Sequence, residues 1–162
     1  EVNLLGSGTI LQEVIAAGKW LAENGIGSRV YSVTSFNELA RTHAYGARQA
    51  KLEGQAYRGY IQETLSDHIT VAATDYMRLL SEQIRSYVPG NYYTLGTDGY
   101  GRSDTRKNLR AFHEVNWQNV AITALYGLLE EGRITQDDYR NFQKKLAIDT
   151  QKPCPVNEGV TK

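Results

Sequence analysis

The sequence contains a single cysteine, Cys154, and no excess of charge of either sign. One cysteine excludes a disulfide within the chain, and it is compatible with a reducing compartment without establishing one. The 18 basic and 18 acidic side chains cancel, so no overall field would attract a phosphate backbone or an anionic bilayer. We therefore expect neither nucleic acid nor a membrane as a partner.

Long apolar runs are also missing. No stretch approaches the roughly 20 apolar residues of a membrane-spanning helix, and the first residues lack the basic and apolar blocks of a signal peptide. The sequence enters an apolar strand at Val2 without an initiator Met, so we expect a piece of a longer protein. Its 162 residues suit one domain, which at this size removes about 70% of its unfolded surface from water.

Tyrosine is common and phenylalanine scarce, with eleven residues against three. Tyrosine suits positions where one edge of the ring is packed and the other meets water or a partner. Ordinary use of tyrosine on the rim of a small domain explains the excess equally well. The composition leaves both interpretations open.

Short apolar or β-branched runs alternate with stretches of helical periodicity. The predicted strands are Val2–Leu5, Arg29–Val33, Ile69–Ala73 and Tyr92–Leu95. This alternation predicts an α/β protein, a three-layer α/β/α sandwich with a mainly parallel sheet. We expect a single α/β domain over residues 1–148 and a flexible tail over residues 149–162.

Capping residues locate two helix starts. Ser35, with Glu38 three residues later, predicts a capping box and a short helix through Leu39. Thr135 with Asp138 predicts a second capped helix.

Periodicity locates two further helices. An apolar stripe from Tyr76 to Tyr87 predicts a helix that ends at Pro89 and Gly90, and residues 120–129 predict the strongest helix of the chain. From residue 41 to residue 67 the periodicity weakens, so we expect a partly helical surface segment there.

The most informative stretch is 92–110, which combines a strand end, a glycine-rich loop and a helix start. Glycines at this spacing suit a loop that needs a positive φ or a close backbone approach; they are Gly96, Gly99 and Gly101. Either Ser103 or Asp104 can accept the free N–H groups of a helix that opens at Thr105.

Residues 96–104 read GTDGYGRSD, which resembles the GTDGFGRSD signature of the homodimeric pyruvate dehydrogenase decarboxylating component, a thiamine-diphosphate enzyme of the transketolase type. The signature belongs to the C-terminal domain of that family, and the one difference is Tyr100 in place of Phe. Three further blocks match in the same order, namely LLGSGTIL from Leu4, VYSVTSF from Val30 and VAATDYM from Val71. The family tends to have Asp where Asn116 stands.

The resemblance implies the dimer-completing C-terminal domain of an enzyme that oxidatively decarboxylates pyruvate on thiamine diphosphate with magnesium. That enzyme transfers the acetyl group to the lipoyl group of an acetyltransferase, so the implied partners are a second copy of the chain and the lipoyl component, in a bacterial cytoplasm. The family's catalytic, cofactor-binding and metal-binding residues lie in other domains. We therefore expect none of them here, and an inactive chain that binds no cofactor by itself.

Two alternatives remain open at this point. The parent enzyme could use another 2-oxo acid, because the substrate pocket lies in domains outside this chain. The chain could instead be an independent α/β module that binds a small anion.

A sequence-specific loop without catalytic residues suits an interface. The candidate interface residues are Tyr100, Arg102, Ser103, Asp104 and Arg106. In this interpretation the ring of Tyr100 packs against a partner and the charged side chains form polar contacts at the rim. A solvated helix face capped by Asp104 is the simpler alternative.

A weaker candidate is an anion site at the end of the first strand. Its residues are Gly6, Ser7, Gly8, Thr74 and Asp75. The strand order that the resemblance implies is second, first, third, fourth, which would bring the two turns together in one crevice. Leu11 stands where a dinucleotide fingerprint has its third glycine, so a tight structural turn is the favoured interpretation.

The three histidines, His43, His68 and His113, are too far apart in sequence to indicate a metal site. We expect them on the surface or in loops.

Overall fold

Residues 1–156 are described by a computed structural model. Within them the chain forms one four-stranded parallel sheet in the order β2-β1-β3-β4. The strands are β1 (Val2–Gly6), β2 (Ser28–Ser32), β3 (Thr70–Ala73) and β4 (Tyr92–Leu95). The predicted α/β sandwich and strand order are confirmed, and each predicted strand end lies within one residue of its observed position.

Helices cover both faces of the sheet. They are α1 (Leu11–Glu23), α2 (Phe36–Glu53), α3 (Tyr60–Thr64), α4 (Leu79–Glu82), α5 (Arg106–Phe112), α6 (Trp117–Glu130) and α7 (Gln136–Lys145). Single 3-10 turns occur at Gly8–Ile10 and Arg85–Tyr87. None of the helices within residues 1–156 is long and apolar enough to cross a membrane.

Two hydrophobic cores follow from the alternation of side chains along the strands. Val2 and Leu4 of β1 face a core formed with α1, α6 and α7. Leu5 faces the other core, in which Phe36 of α2 and Ile61 of α3 are buried. The sheet therefore lies between two helical layers.

Both predicted helix caps are present, but one differs in detail. The Thr135 hydroxyl accepts from the Asp138 N–H at 3.1 Å and the Asp138 carboxylate accepts from the Thr135 N–H at 3.0 Å, which is a complete capping box. The Ser35 hydroxyl accepts from the Glu38 N–H at 3.1 Å. The Glu38 carboxylate pairs with Arg41 at 2.6 Å rather than closing a second capping box.

The prediction of a short helix through Leu39 is wrong, because α2 has 18 residues and ends at Glu53. Its buried residues are Phe36, His43 and Ala50, which lie seven positions apart. One buried residue in every two turns leaves too sparse an apolar pattern to detect by periodicity. The helix ends at Gly54, which has a φ of 69°.

The continuous helix predicted from Tyr76 to Tyr87 is also wrong. Only α4 and one 3-10 turn form there, and the side chains of Tyr76 and Leu79 are 66% and 68% exposed. The backbone of this segment is held by the loop after β4. Tyr76 O accepts from Thr97 N at 2.9 Å, and Arg78 N donates to the Asp98 carboxylate at 3.0 Å.

The first part of the predicted tail lies against the domain. Lys152 Nζ donates to the carbonyls of Ala111 and Phe112, at 2.8 and 2.6 Å, near the end of α5. Pro155 is buried. Residues 157–162 lie outside the described residues, so the boundary at residue 148 and the flexibility of the tail stay predictions.

We predict that Gly127→Ala destabilises the fold. A Cβ there would lie 2.8 Å from Ile69 Cγ2 and 2.8 Å from Tyr93 Cε2, so the overpacking cost of about 1–3 kcal/mol should exceed the roughly 1 kcal/mol gained in helix propensity. The free energy of unfolding, measured in urea, should fall.

Gly18→Ala on α1 is the matched control. Its Cβ would meet Val30 Cγ2 at 3.0 Å and Ser28 Oγ at 3.1 Å. Val30 is 39% exposed and Ser28 is partly exposed, so both side chains have room to move. Equal losses of stability for the two variants would contradict the overpacking argument.

Candidate interaction site at the signature loop

The signature loop, residues 96–104, is fastened at its start to the segment that follows β3. Thr97 Oγ1 donates to Asp75 O at 2.6 Å. Arg78 Nε donates to Asp98 Oδ2, also at 2.6 Å. Together with the two backbone contacts of this segment, these bonds join the ends of two neighbouring strands into one unit.

The three loop glycines differ in whether the structure requires glycine. A Cβ at Gly96 would lie 2.6 Å from Arg78 N and 2.7 Å from Tyr76 O, so this position needs a close backbone approach. Gly99 has a φ of 100°, a backbone conformation that residues with a Cβ rarely adopt. Around Gly101 no atom of the described residues lies within 4 Å of the Cβ position. The expected positive φ is confirmed at Gly99 alone.

The helix after the loop begins one residue later than predicted and Thr105 is its N-cap, although Asp104 does accept one backbone N–H at the helix start. The Thr105 hydroxyl accepts from the Asn108 N–H at 3.3 Å, and α5 begins at Arg106. Asp104 accepts from the Thr105 N–H at 2.6 Å and from the Asn108 amide at 2.9 Å. The hydrogen bond from the Thr105 backbone, assisted by that from Asn108, lowers the pKa of Asp104.

All five candidate interface residues are exposed. Tyr100, at the tip of the loop, is 66% exposed. The Arg102 guanidinium lies over the Phe112 ring, 4.1 Å from its centroid. The loop therefore presents an aromatic ring and several polar side chains on one surface, and their role in an interface stays a proposal.

Three apolar side chains beside the loop are exposed, which the sequence pattern did not predict. Tyr76, Met77 and Leu79 are 66%, 56% and 68% exposed. They lie in the segment that hydrogen bonds with Thr97 and Asp98. The apolar stripe had assigned two of them to a packed helix face. Their exposure in the structure shows that they face outward.

One basic side chain of α5 is neutralised within the chain. Arg110 is paired within the chain with Glu13 of α1 at 2.7 Å, and both side chains are less than one-fifth exposed. The other carboxylate oxygen of Glu13 accepts from the Trp117 N–H at 2.9 Å, at the start of α6. Glu13 thus ties α5 and α6 to α1 and holds the helix behind the loop.

Two residues of the tail segment lie close to the loop and to α5. Pro155 O lies 3.2 Å from the Cβ position of Gly99. Lys152 Nζ lies 5.7 Å from the centroid of the Phe112 ring, the ring that also contacts Arg102. The loop therefore contacts residues more than fifty positions away as well as its sequence neighbours.

The turns predicted to form an anion crevice do meet. Ser7 N donates to Ala73 O at 3.2 Å, and Thr9 Oγ1 donates to Asp75 Oδ2 at 3.2 Å. Gly8 has a φ of 58°, and its Cβ position lies 3.5 Å from Asp75 Oδ1. Thr74 is buried, and its hydroxyl accepts from the Tyr76 N–H at 3.2 Å. Anion binding stays a prediction, and the Asp75 carboxylate opposes it by like-charge repulsion.

The expectation of surface histidines is wrong for His43, which is only 7% exposed. Its ring stacks on Tyr87 with centroids 3.8 Å apart and meets the edge of Tyr57 at 5.0 Å. His68 is partly exposed, with Nε2 3.5 Å from Glu1 Oε2. Among residues 1–156 there is no group of three or more His, Cys, Asp or Glu that could hold a metal ion.

Comparison with known proteins places this geometry in a family. Residues 1–116 match the family described as "Transketolase-like TK C-terminal domain". The chain belongs to this family. The matched region includes all four strands and the whole signature loop.

Its relatives include bacterial proteins named "Pyruvate dehydrogenase E1 component". The chain is 45% identical to those of Escherichia coli (strain K12) and Pseudomonas aeruginosa and 42% identical to that of Cupriavidus necator. Each match covers 96% of this chain and 18% of the relative. The chain thus spans less than one-fifth of the length of the relatives it matches.

We predict that Gly96→Ala disrupts the signature loop while Gly101→Ala does not. A methyl group at Gly96 would meet two backbone atoms that cannot rotate away, which should cost about 1–3 kcal/mol. Gly101 has open space, so its variant should stay within about 0.5 kcal/mol of the parent. Urea unfolding of the two variants beside the parent measures the difference. A harmless Gly96→Ala would show that the loop is not held in this contact.

Proposed function

We propose that this chain is the C-terminal domain of a pyruvate dehydrogenase E1 component and that it completes the homodimer of that enzyme. The intact enzyme would decarboxylate pyruvate on thiamine diphosphate with magnesium and pass the acetyl group to a lipoyl group of the acetyltransferase, in a bacterial cytoplasm. The family match and the names of the relatives support the parent enzyme. The surface at the signature loop supports the interface role.

The interface role rests on one observation: the loop exposes an aromatic side chain, while the start of the loop is held in place by contacts with the segment after β3. Tyr100 is 66% exposed, while Gly96, Thr97 and Asp98 are fixed by backbone contacts and an ion pair to the segment after β3. A side chain held on a rigid base loses little freedom on binding, and exposed tyrosines are common anchors of interfaces. A loop that only reversed the chain direction would need neither feature.

The neighbouring apolar side chains enlarge the same surface. Tyr76, Met77 and Leu79 belong to the segment that is fastened to the loop. Two loops that are joined in this way present one contact face rather than two independent ones. Exposed apolar residues grouped together mark contact sites more often than isolated ones do.

The residues present do not fit thiamine diphosphate or its metal. The sequence lacks the Gly-Asp-Gly metal motif of the enzyme type, and residues 1–156 contain no group of three or more His, Cys, Asp or Glu that could hold a metal ion. The proposed contribution of this chain is therefore assembly, and no chemical step is assigned to it.

We expect Tyr100→Ala and Arg102→Glu, made in the full-length enzyme, to weaken dimerisation roughly tenfold, the loss of about 1.4 kcal/mol of interface energy. Activity should fall most at low protein concentration, because dilution dissociates a weakened dimer. Sedimentation equilibrium across a dilution series, run beside activity measurements, tests this. Tyr100→Ala is the decisive variant, since Arg102→Glu also removes the contact with Phe112.

Tyr45→Ala is the matched control. Tyr45 is 65% exposed and lies on α2, outside the signature loop and the segment fastened to it, so its loss should leave the dimer unchanged. If Tyr100→Ala dimerises like the parent yet loses turnover at every concentration, the loop acts on catalysis or lipoyl docking and the interface assignment is wrong.

We further expect the isolated chain neither to bind thiamine diphosphate nor to decarboxylate a 2-oxo acid, because the metal motif and the catalytic residues of the enzyme type are absent from it. Calorimetric titration with thiamine diphosphate and magnesium should give no binding heat. Micromolar affinity would contradict the proposal.

A further inference from the structure

A pocket of about 370 Å³ opens at the carboxyl ends of β1 and β2, between α2 and α3. It lies on the α2 side of the sheet and shares no lining residue with the signature loop. Its volume is within the range of small-molecule sites, roughly 300–1,000 Å³. The carboxyl ends of parallel strands are also where α/β proteins commonly bind ligands.

The wall of the pocket is mostly apolar. Leu5, Val33, Leu39, Ile61, Leu65 and Ile84 supply aliphatic surface. Three aromatic rings complete it, those of Tyr31, Tyr57 and Tyr60. Polar atoms are few and lie on short side chains such as Ser32, Thr34 and Thr42. This composition suits a ligand with an apolar ring and few hydrogen-bonding groups.

The lining has little charge to offer a ligand. Among the described residues that line the pocket there is no Lys or Arg, and Glu38 is the one carboxylate. Glu38 already pairs with Arg41 at 2.6 Å. Burial lowers the pKa of His43, so its imidazole stays neutral near pH 7. An anion such as a phosphate or a 2-oxo acid would find nothing there to neutralise it.

Packed aromatic rings keep the pocket open. His43 is stacked on Tyr87, and Tyr57 lies edge-on against it. Gly46 and Gly59 make room for this arrangement, since a Cβ at either would lie less than 3 Å from Tyr57 Oη. The Tyr31 hydroxyl donates to Thr64 O at 3.3 Å and joins the strand side of the pocket to the helix side. The cavity is therefore held by rigid groups on several sides.

His43 shows one further feature. Its Nδ1 is buried and, like that of His113, has no hydrogen-bond partner among residues 1–156. Buried polar atoms are normally paired, and each one left unpaired calls for an explanation such as strain, a functional role or a bound water. A purely structural wall would be served better by an apolar side chain at this position.

We propose that this pocket binds an uncharged small molecule that carries an aromatic ring and one or two hydrogen-bonding groups. The ring lies among the tyrosines and aliphatic side chains, and the polar groups meet the hydroxyls at the rim. The inference is independent of the dimer role, because it concerns a different surface of the chain.

Saturation-transfer difference NMR on the full-length protein tests the proposal, with indole as the probe. Indole is uncharged, aromatic and carries one N–H donor. Indole-3-acetate has the same ring with a negative charge. We expect saturation transfer to indole and at least tenfold weaker binding of indole-3-acetate.

Two variants assign the signal to the pocket. Thr42→Trp adds a large ring at an exposed lining position of α2 and should abolish the transfer to indole. Arg48→Trp adds the same ring at an exposed position of the same helix outside the lining and should leave the transfer intact. If Thr42→Trp fails to fold, as judged by circular dichroism, Thr34→Trp at the strand end replaces it.

Three outcomes overturn the proposal. They are no transfer to indole in the parent protein, an undiminished signal in the folded lining variant, and equal binding of the neutral and anionic probes.

Discussion

The buried side-chain amide of Asn3 sets how the two central strands lie against each other. Asn3 is fully buried and opposite Thr70 in the parallel pairing of β1 with β3. Its Nδ2 donates to Ser66 O at 3.0 Å and to Thr70 Oγ1 at 3.1 Å, and its Oδ1 accepts from Ser66 Oγ at 3.1 Å. A shift of β3 by one residue relative to β1 would break all three hydrogen bonds and leave the Asn3 amide buried without partners. The free-energy cost of that burial exceeds what the hydrogen bonds themselves contribute.

The position of the surface at the signature loop depends on this register. It places Gly6 opposite Ala73, and the pairing of β3 with β4 places Ala73 opposite Leu95. The segment after β3 therefore emerges beside the signature loop, close enough for Arg78 to pair with Asp98. The carboxyl end of β1 also contributes Leu5 to the lining of the pocket.

The two helical layers have different characters, and this bears on what each can do. The layer of α1, α6 and α7 is a continuous apolar core, with Glu13 joining three helices at its edge. The layer of α2, α3 and α4 contains fewer buried apolar residues and borders the cavity beside His43. The first layer supports the signature loop through α5, whereas the second has space for a ligand. The support of the signature loop and the cavity thus belong to different helical layers.

Features that depend on neighbouring residues were predictable from the sequence. The strands, the Thr135 capping box and the positive φ of Gly99 follow from local propensities and from hydrogen bonds that span a few residues. The family signature added the strand order and the location of the candidate interface, although its role in dimerisation stays a proposal.

Tertiary contacts decided the rest. The segment after β3 leaves the helical conformation because Thr97 and Asp98, twenty residues later, bond to its backbone. The α2 helix runs past its apparent end because its sparse buried residues are covered by segments that follow it in the chain. His43 is buried because Tyr57 and Tyr87 enclose its ring. In each case the deciding partner is distant in sequence, so no local pattern records the contact.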